Sequence, residues 1–318
     1  MKYLRALVAV LLCVSTAAAS AYPTKPIKVV LGFAPGGGSD ILLRSILPGI
    51  EQALGGQVVV DYKPGAGGNI AMEAVAKAEP DGYTLLMGTP GLATNPCLYA
   101  NLSFDPLRDF APISQVGSVQ SVLLVHPSLP VDSVSGLIRY AREKKGGLNY
   151  ASPGAGTSLH LAAELFKSIT GIEMVHVPYK GGGQAMNDLI GGQVQVMFNV
   201  LPSAAPQIVA GKVKPLAVTS TTRAARFPEV PTMVEAGVAS YSAVTWNGIV
   251  APKGTPGPII EQLNRAIRAS LDSPQTRERL EKIGQDPAPS TPDEFGALIK
   301  SENAKWCKVI DSIGLKAN

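Results

Sequence analysis

Short apolar runs of strand length recur between segments of helical periodicity along the whole chain, and this alternation restricts the possible folds more than any other feature. Strand candidates lie at 27–31 (IKVVL), 57–61 (QVVVD), 83–88 (YTLLMG), 121–126 (SVLLVH), 174–178 (MVHVP), 194–199 (VQVMFN), 215–220 (PLAVTS) and 245–251 (TWNGIVA). Most are near-continuous apolar runs, as expected for parallel strands covered on both faces. Between them, Val134, Leu137, Ile138 and Ala141 repeat at the i, i+3, i+4, i+7 spacing of an amphipathic helix. Ala162, Leu165, Phe166 and Ile169 do the same, as do Trp306, Val309, Ile310 and Ile313. The pattern predicts α/β layers with right-handed crossovers and no solenoid repeat.

The N-terminus does not belong to that pattern. Lys2 and Arg5 precede a short apolar stretch at 6–18, and Ala19-Ser20-Ala21 is an A-x-A site, which together read as a secretory signal cleaved after Ala21. The stretch is shorter than the ~20 residues a spanning helix needs, and Leu12 rather than a small residue precedes Cys13, so export as a soluble protein is expected. Removing 1–21 leaves roughly 300 residues, more than one core usually organises, and two domains are expected. Loss of Lys2 and Arg5 lowers the formal net charge from +4 by two, a balance that offers no electrostatic case for nucleic acid or a membrane surface. Only Cys97 and Cys307 remain after processing, without a C-x-x-C pair. They are either one disulfide or two buried thiols, and the oxidising compartment implied by the signal favours the bond.

Pro-Gly-Ala-Gly occurs at 64–67 and again at 153–156, each time between a predicted strand and a predicted helix. Gly36-Gly37-Gly38-Ser39 and Gly181-Gly182-Gly183 hold the same strand-to-helix position. In an open α/β sheet such turns sit at the carboxyl ends of strands, where ligands bind. Glycine permits close backbone approach, and the unpaired N–H groups of a helix's first turn attract an anion. Two lobes with two such turns each describe a cleft lined by donors. None of the turns is a nucleotide fingerprint.

The polar residues beside these turns are mostly neutral: Ser39, Asn69, Thr89, Thr94, Asn95, Thr157, Ser158 and Asn199, with Trp246 and Tyr179 as amphipathic walls. Ser39 and Thr157 are also placed to cap helices. Asp40 and Arg44 form an i, i+4 pair and read as structural, whereas Lys180 is the one cation placed near the cleft. Gly156-x-Ser158-x-His160 raises a hydrolase as a rival, but a nucleophile elbow requires glycine at the last position. A serine two residues before a histidine on a helix does not face it. No clustered Cys/His set offers a metal site, and no cofactor is implied.

The order and spacing of several strings resemble the extracytoplasmic solute receptors of tripartite tricarboxylate transporters, the Bug family. They are YPTKPI (22–27), FAPGGGSD (33–40), KPGAGGN (63–69), PDGYTLLMG (80–88), NPCLYANLSFDPLRDFAPIS (95–114), YASPGAGTSLHLAAELF (150–166), VPYKGGGQAMNDLIGGQV (177–194), RFPEVPTMVEAG (226–237) and APKGTP (251–256). The resemblance implies a two-lobed periplasmic binding protein, a Venus-flytrap fold of type II character, that closes on a carboxylate-bearing solute and presents it to a membrane permease. Carried over by position, the ligand loops fall on Gly37, Gly38, Ser39, Asn69, Thr89, Ala155, Gly156, Thr157, Lys180, Gly181, Gly182 and Asn199. Asn199 stands where relatives commonly carry Asp, and cysteines at 97 and 307 are not expected as family features. A monomer is expected, with 22–124 and 245–318 forming the first lobe and 125–244 the second. The strands at 121–126 and 245–251 would cross between lobes as the hinge. A receptor that reports occupancy to a sensor kinase would use the same cleft.

Overall fold

The first segment of the chain supplies four strands of one sheet, and the return segment supplies the other two. In the computed structural model, which describes residues 22–33, 35–36, 38–144, 147–179 and 181–316, β1 (Ile27–Leu31) leads to α1 (Gly38–Leu54) and β2 (Val58–Tyr62). Then follow α2 (Asn69–Ala76), β3 (Thr84–Gly88), α3 (Gly91–Leu98) and β4 (Phe110–Val119). One residue, Gln120, separates β4 from β5 (Ser121–Val125), which begins a second unit of α4 (Val134–Glu143), β6 (Leu148–Ser152), α5 (Ser158–Thr170) and β7 (Met174–Pro178). That unit continues through α6 (Gly182–Ile190), β8 (Val196–Val200), α7 (Leu201–Val209) and β9 (Lys214–Val218). The chain returns through β10 (Thr245–Pro252) and ends with α8 (Gly257–Asp272), α9 (Pro274–Lys282), β11 (Asp286–Pro287) and α10 (Pro292–Ser312). The proposed signal segment 1–21 lies outside the described residues, and no described helix is long and apolar enough to cross a membrane.

Two sheets result, ordered β11-β4-β10-β3-β1-β2 and β7-β6-β8-β5-β9. β1 pairs in parallel with β2 and β3, and β6 with β7 and β8, as the apolar runs require. The strands that begin where the chain changes sheet run antiparallel to their neighbours: β10 between β3 and β4, and β5 between β8 and β9. The chain therefore passes from the first sheet to the second at Gln120, earlier than the boundary after 124 expected from sequence. Of the two strands read as the hinge, that at 121–126 pairs only within the second sheet and that at 245–251 only within the first, so neither strand itself crosses. Missed by the sequence reading were β4, whose Pro112 and Gly117 mask its strand character, and β6, where Asn149 interrupts the apolar run.

Each sheet is covered on both faces. In the first, Leu43, Ile46 and Ile267 pack on one side while Met72, Leu92 and Phe295 pack on the other. Clusters around Phe166 and around Met197 do the same for the second sheet. Gly248 makes one contact possible: a Cβ there would come within 2.1 Å of Phe295 Cζ, so the Phe295 ring of α10 rests against β10 only because the residue is glycine. α10 begins at a capping box formed by Thr291 and Glu294. Its first half buries Phe295 and Ile299 in the first lobe, but Trp306, Val309 and Ile310 enter the core of the second. The return segment is thus not confined to the first lobe. Cys97 on α3 is bonded to Cys307 on α10.

Candidate functional site

The turns that follow β1, β2 and β6 open onto one cleft of about 390 Å³ between the two sheets. Gly38, Ser39, Gly67, Thr89, Thr94 and Asn95 form its first-lobe side, and an unbroken run from Ala155 to Leu159 forms much of its second-lobe side. Val119 at the end of β4 and Thr245 and Asn247 on β10 contribute from beside the crossings, and Phe33, Leu98 and Tyr99 add apolar wall.

On the first-lobe side the turns are organised by side chains of the cleft wall itself, Asp40, Ser39 and Asn95. Asp40, buried at 4 % exposure, accepts from the Gly36 N–H at 2.8 Å, the Tyr62 hydroxyl at 2.6 Å and Arg44 Nε at 3.0 Å. Burial alone would raise its carboxyl pKa, but the Gly36 and Tyr62 hydrogen bonds and the Arg44 charge outweigh burial and hold it below the usual range. Asp40 therefore shapes the glycine turn as well as pairing with Arg44 at the i, i+4 spacing read from the sequence. Ser39 Oγ donates to Asn247 Oδ1 at 2.6 Å, joining α1 to β10. Asn95 Nδ2 donates to Asn69 Oδ1 at 2.7 Å and to Gly67 O at 3.2 Å, bracing the second turn.

The second-lobe turn is held more tightly than its sequence reveals. Thr157 Oγ1 donates to Gly154 O at 2.8 Å and accepts from His160 N at 3.3 Å, so its one hydroxyl proton is engaged in the turn. The Gly156 N–H is likewise engaged, donating to His160 Nδ1 at 3.0 Å. What faces the cleft is the start of α5, where the first-turn N–H groups of Ser158 and Leu159 lack intrahelical acceptors. The Ser158 hydroxyl meets Thr245 Oγ1 at 3.2 Å, and His160 is turned to Gly156, so these two residues form no nucleophile–base pair. Ser152 does meet His176, at 2.7 Å, but its side chain is fully buried beneath the turn.

Of the residues proposed from sequence, Gly38, Ser39, Thr89, Ala155, Gly156 and Thr157 line the cleft together. Asn69 is buried behind the lining as the acceptor for Asn95. Gly181, Gly182 and Asn199 are not in the lining. A Cβ on Gly182 would be 3.7 Å from Asn199 Oδ1 and 3.9 Å from Pro153 Cγ, which puts this group beside the third turn. Asn199 is internally satisfied, donating to Ser203 Oγ and accepting from Val200 N. Gly37 and Lys180 lie outside the described residues. Neither amphipathic wall is one: Trp246 is buried against Phe295, and the Tyr179 hydroxyl donates to Asp188. Asn247 and Thr245 were missed because nothing in a strand sequence marks which residues border a crossing. Among the described residues, no group of His, Cys, Asp or Glu could hold a metal ion.

The model of the tripartite tricarboxylate transporter family receptor matches residues 42–315. Protein BugT of Bordetella pertussis is 37 % identical over 300 residues, covering 94 % of this chain and 92 % of BugT. Among solved structures, Rpa4515 of R. palustris with adipate is 38 % identical with a TM-score of 0.82, over 93 % of this chain and 99 % of that one. MatC (Rpa3494) from Rhodopseudomonas palustris with bound malate is 31 % identical with a TM-score of 0.78, over 91 % and 100 %. The two-lobed architecture, the cleft at the strand ends and these likenesses agree, and the chain belongs to the Bug family of tripartite tricarboxylate transporter receptors.

Proposed function

We propose that this chain is exported, loses residues 1–21, and works as a monomeric periplasmic receptor that captures a small organic acid between its lobes for a tripartite tricarboxylate-type permease. It performs no chemistry on the solute. The observation that carries this reading is the convergence of three glycine turns, two from one sheet and one from the other, on a single cleft beside the crossings. Helix starts at α1 and α5 supply partial positive charge there, and neutral hydroxyls and amides complete the donor set. Adipate bound to Rpa4515 and malate bound to MatC support a carboxylate as the solute class. The bonded partners of Ser158, His160 and Ser152 support a site that binds without reacting.

The test is a thermal-shift screen of protein beginning at Tyr22 against adipate, malate, citrate, aromatic acids and amino acids, followed by mass spectrometry of the recovered solute. A stoichiometric binder should stabilise the protein by ~2.7 kcal/mol at 100 times Kd and be recovered unchanged. Conversion of the solute would refute the receptor assignment, and a panel in which no acid shifts the midpoint would refute the solute class.

A further inference from the structure

Behind the second-lobe turn lies a buried group of titratable side chains that solute capture as described does not use. The rings of His160 and His176 stack at 3.9 Å between centroids with planes 14° apart. They hold opposite ends of one turn. His160 Nδ1 accepts the Gly156 N–H, while His176 Nε2 shares a hydrogen bond with Ser152 Oγ, which itself accepts the Gly154 N–H at 3.2 Å. Gly156 sits at φ +76°, a backbone region that glycine tolerates and that this hydrogen bond keeps in place.

We propose that His160 is a positioning residue of the binding cleft: its neutral imidazole, backed by His176, holds the 154–157 turn in the form that receives the organic acid, and protonation of His160 releases it. The inference rests on the cleft being the solute site. Only a neutral ring can accept at Nδ1. A proton there would set an N–H against the Gly156 N–H, and the turn would have to move, taking Ala155 and the start of α5 with it.

The surroundings keep the ring neutral at ordinary pH. Burial is the main cause and the adjacent His176 the next; together they outweigh the Glu164 carboxylate, and the His160 pKa is pushed down to about 4. His176 is lowered as well, again chiefly by burial. Among the described residues, the charged groups facing the pair are few. From α5 these are Glu164, 3.9 Å from His160 Nε2, and Lys167, which binds Glu164 at 2.7 Å. From β6, the Tyr150 hydroxyl donates to Glu164, and its ring stacks 4.9 Å from His176. Glu164 is thus already occupied by a lysine and a tyrosine and is poorly placed to compensate an imidazolium.

The experiment compares wild type with His160→Asn, whose Oδ1 falls near the position of Nδ1 and accepts the same N–H without titrating. In the solute-free protein, amide NMR should show the Gly156 resonance moving with the titration of the His160 ring, and this step should vanish in His160→Asn. Adipate affinity at pH 7 should be similar in the two proteins. One pH unit below the ring's midpoint, wild type should bind about tenfold more weakly than His160→Asn, because only about a tenth of it holds the competent turn. Protonation of adipate itself affects both proteins alike and cancels in that ratio. A Gly156 amide indifferent to the ring, or identical pH profiles of affinity, would overturn the proposal. Should adipate bind neither protein at any pH, the amide titration alone decides the positioning role, and the failure belongs to the choice of solute.

Discussion

Gly38, the first residue of α1, and Thr157, the N-cap of α5, both stand at helix starts, yet they act differently. A Cβ on Gly38 would meet nothing within 4 Å, and the residue lines the cleft. Gly38→Val should therefore leave the fold intact, with an unchanged unfolding midpoint, and weaken carboxylate binding by at least about tenfold, since uptake of a ~1.4 kcal/mol steric cost is enough. Normal affinity in a titration would show that the solute does not approach this turn. Thr157 has its hydroxyl proton committed to Gly154 O, so it supports the turn without donating to the solute. Replacing it by Ala should cost roughly 1 kcal/mol of stability through loss of the cap. That loss is read in denaturant melts, and weaker binding should accompany it through distortion of the turn. Weaker binding without any loss of stability would restore the direct contact that its sequence position suggests.

At the scale of elements, α10 is the member with two allegiances. Its Phe295 end rests on β10 in the first lobe, its Trp306 end completes the second-lobe core, and Cys307 ties it to α3. The two cysteines lie 210 residues apart, so the bond closes most of the chain into a loop. Reduction, or Cys97→Ser, should lower stability by roughly 2–5 kcal/mol on the loop-entropy model. The comparison is a denaturant melt with and without reductant. Alkylation of both thiols in unreduced, denatured protein would refute the bond.

Across the whole molecule, neighbouring residues of the crossing region face opposite ways. Val119 and Val200 border the cleft, while Gln120 and Leu201 border a cavity of about 590 Å³ on the other side, between α7 and the segment from Arg277 to Pro287. That larger cavity contains none of the glycine turns. Rotation of the lobes about the crossings would narrow one space and widen the other, the hinge motion known for periplasmic binding proteins. A bulky side chain in the rear cavity should hold it open and so favour the closed cleft. Ala225 is exposed and lines that cavity. Ala225→Trp should tighten carboxylate binding several-fold without touching the site, because a larger fraction of the protein is then competent to bind. Small-angle scattering of the solute-free variant should show a more compact particle than wild type. Unchanged affinity and dimensions would place the hinge elsewhere.

Sequence alone determined the layered α/β class, the repeated glycine turns at strand ends and the structural role of Asp40, because each depends on local chemistry: apolar runs, residues tolerant of close approach, and an i, i+4 ion pair. The partnership of Cys97 and Cys307 was narrowed to two choices by the number of cysteines and decided by the packing of α10 on α3. Only the tertiary structure decided where the chain changes lobes, since β4 and β5 are separated by a single residue and no loop marks the passage. It also decided which turns meet in the cleft and how their donors are spent. The histidines at 160 and 176 are far apart in sequence and on different elements, yet their rings stack and grip a single turn. Hydrogen bonds of that kind depend on where strands β6 and β7 place their side chains relative to α5, and no spacing along the chain encodes that distance.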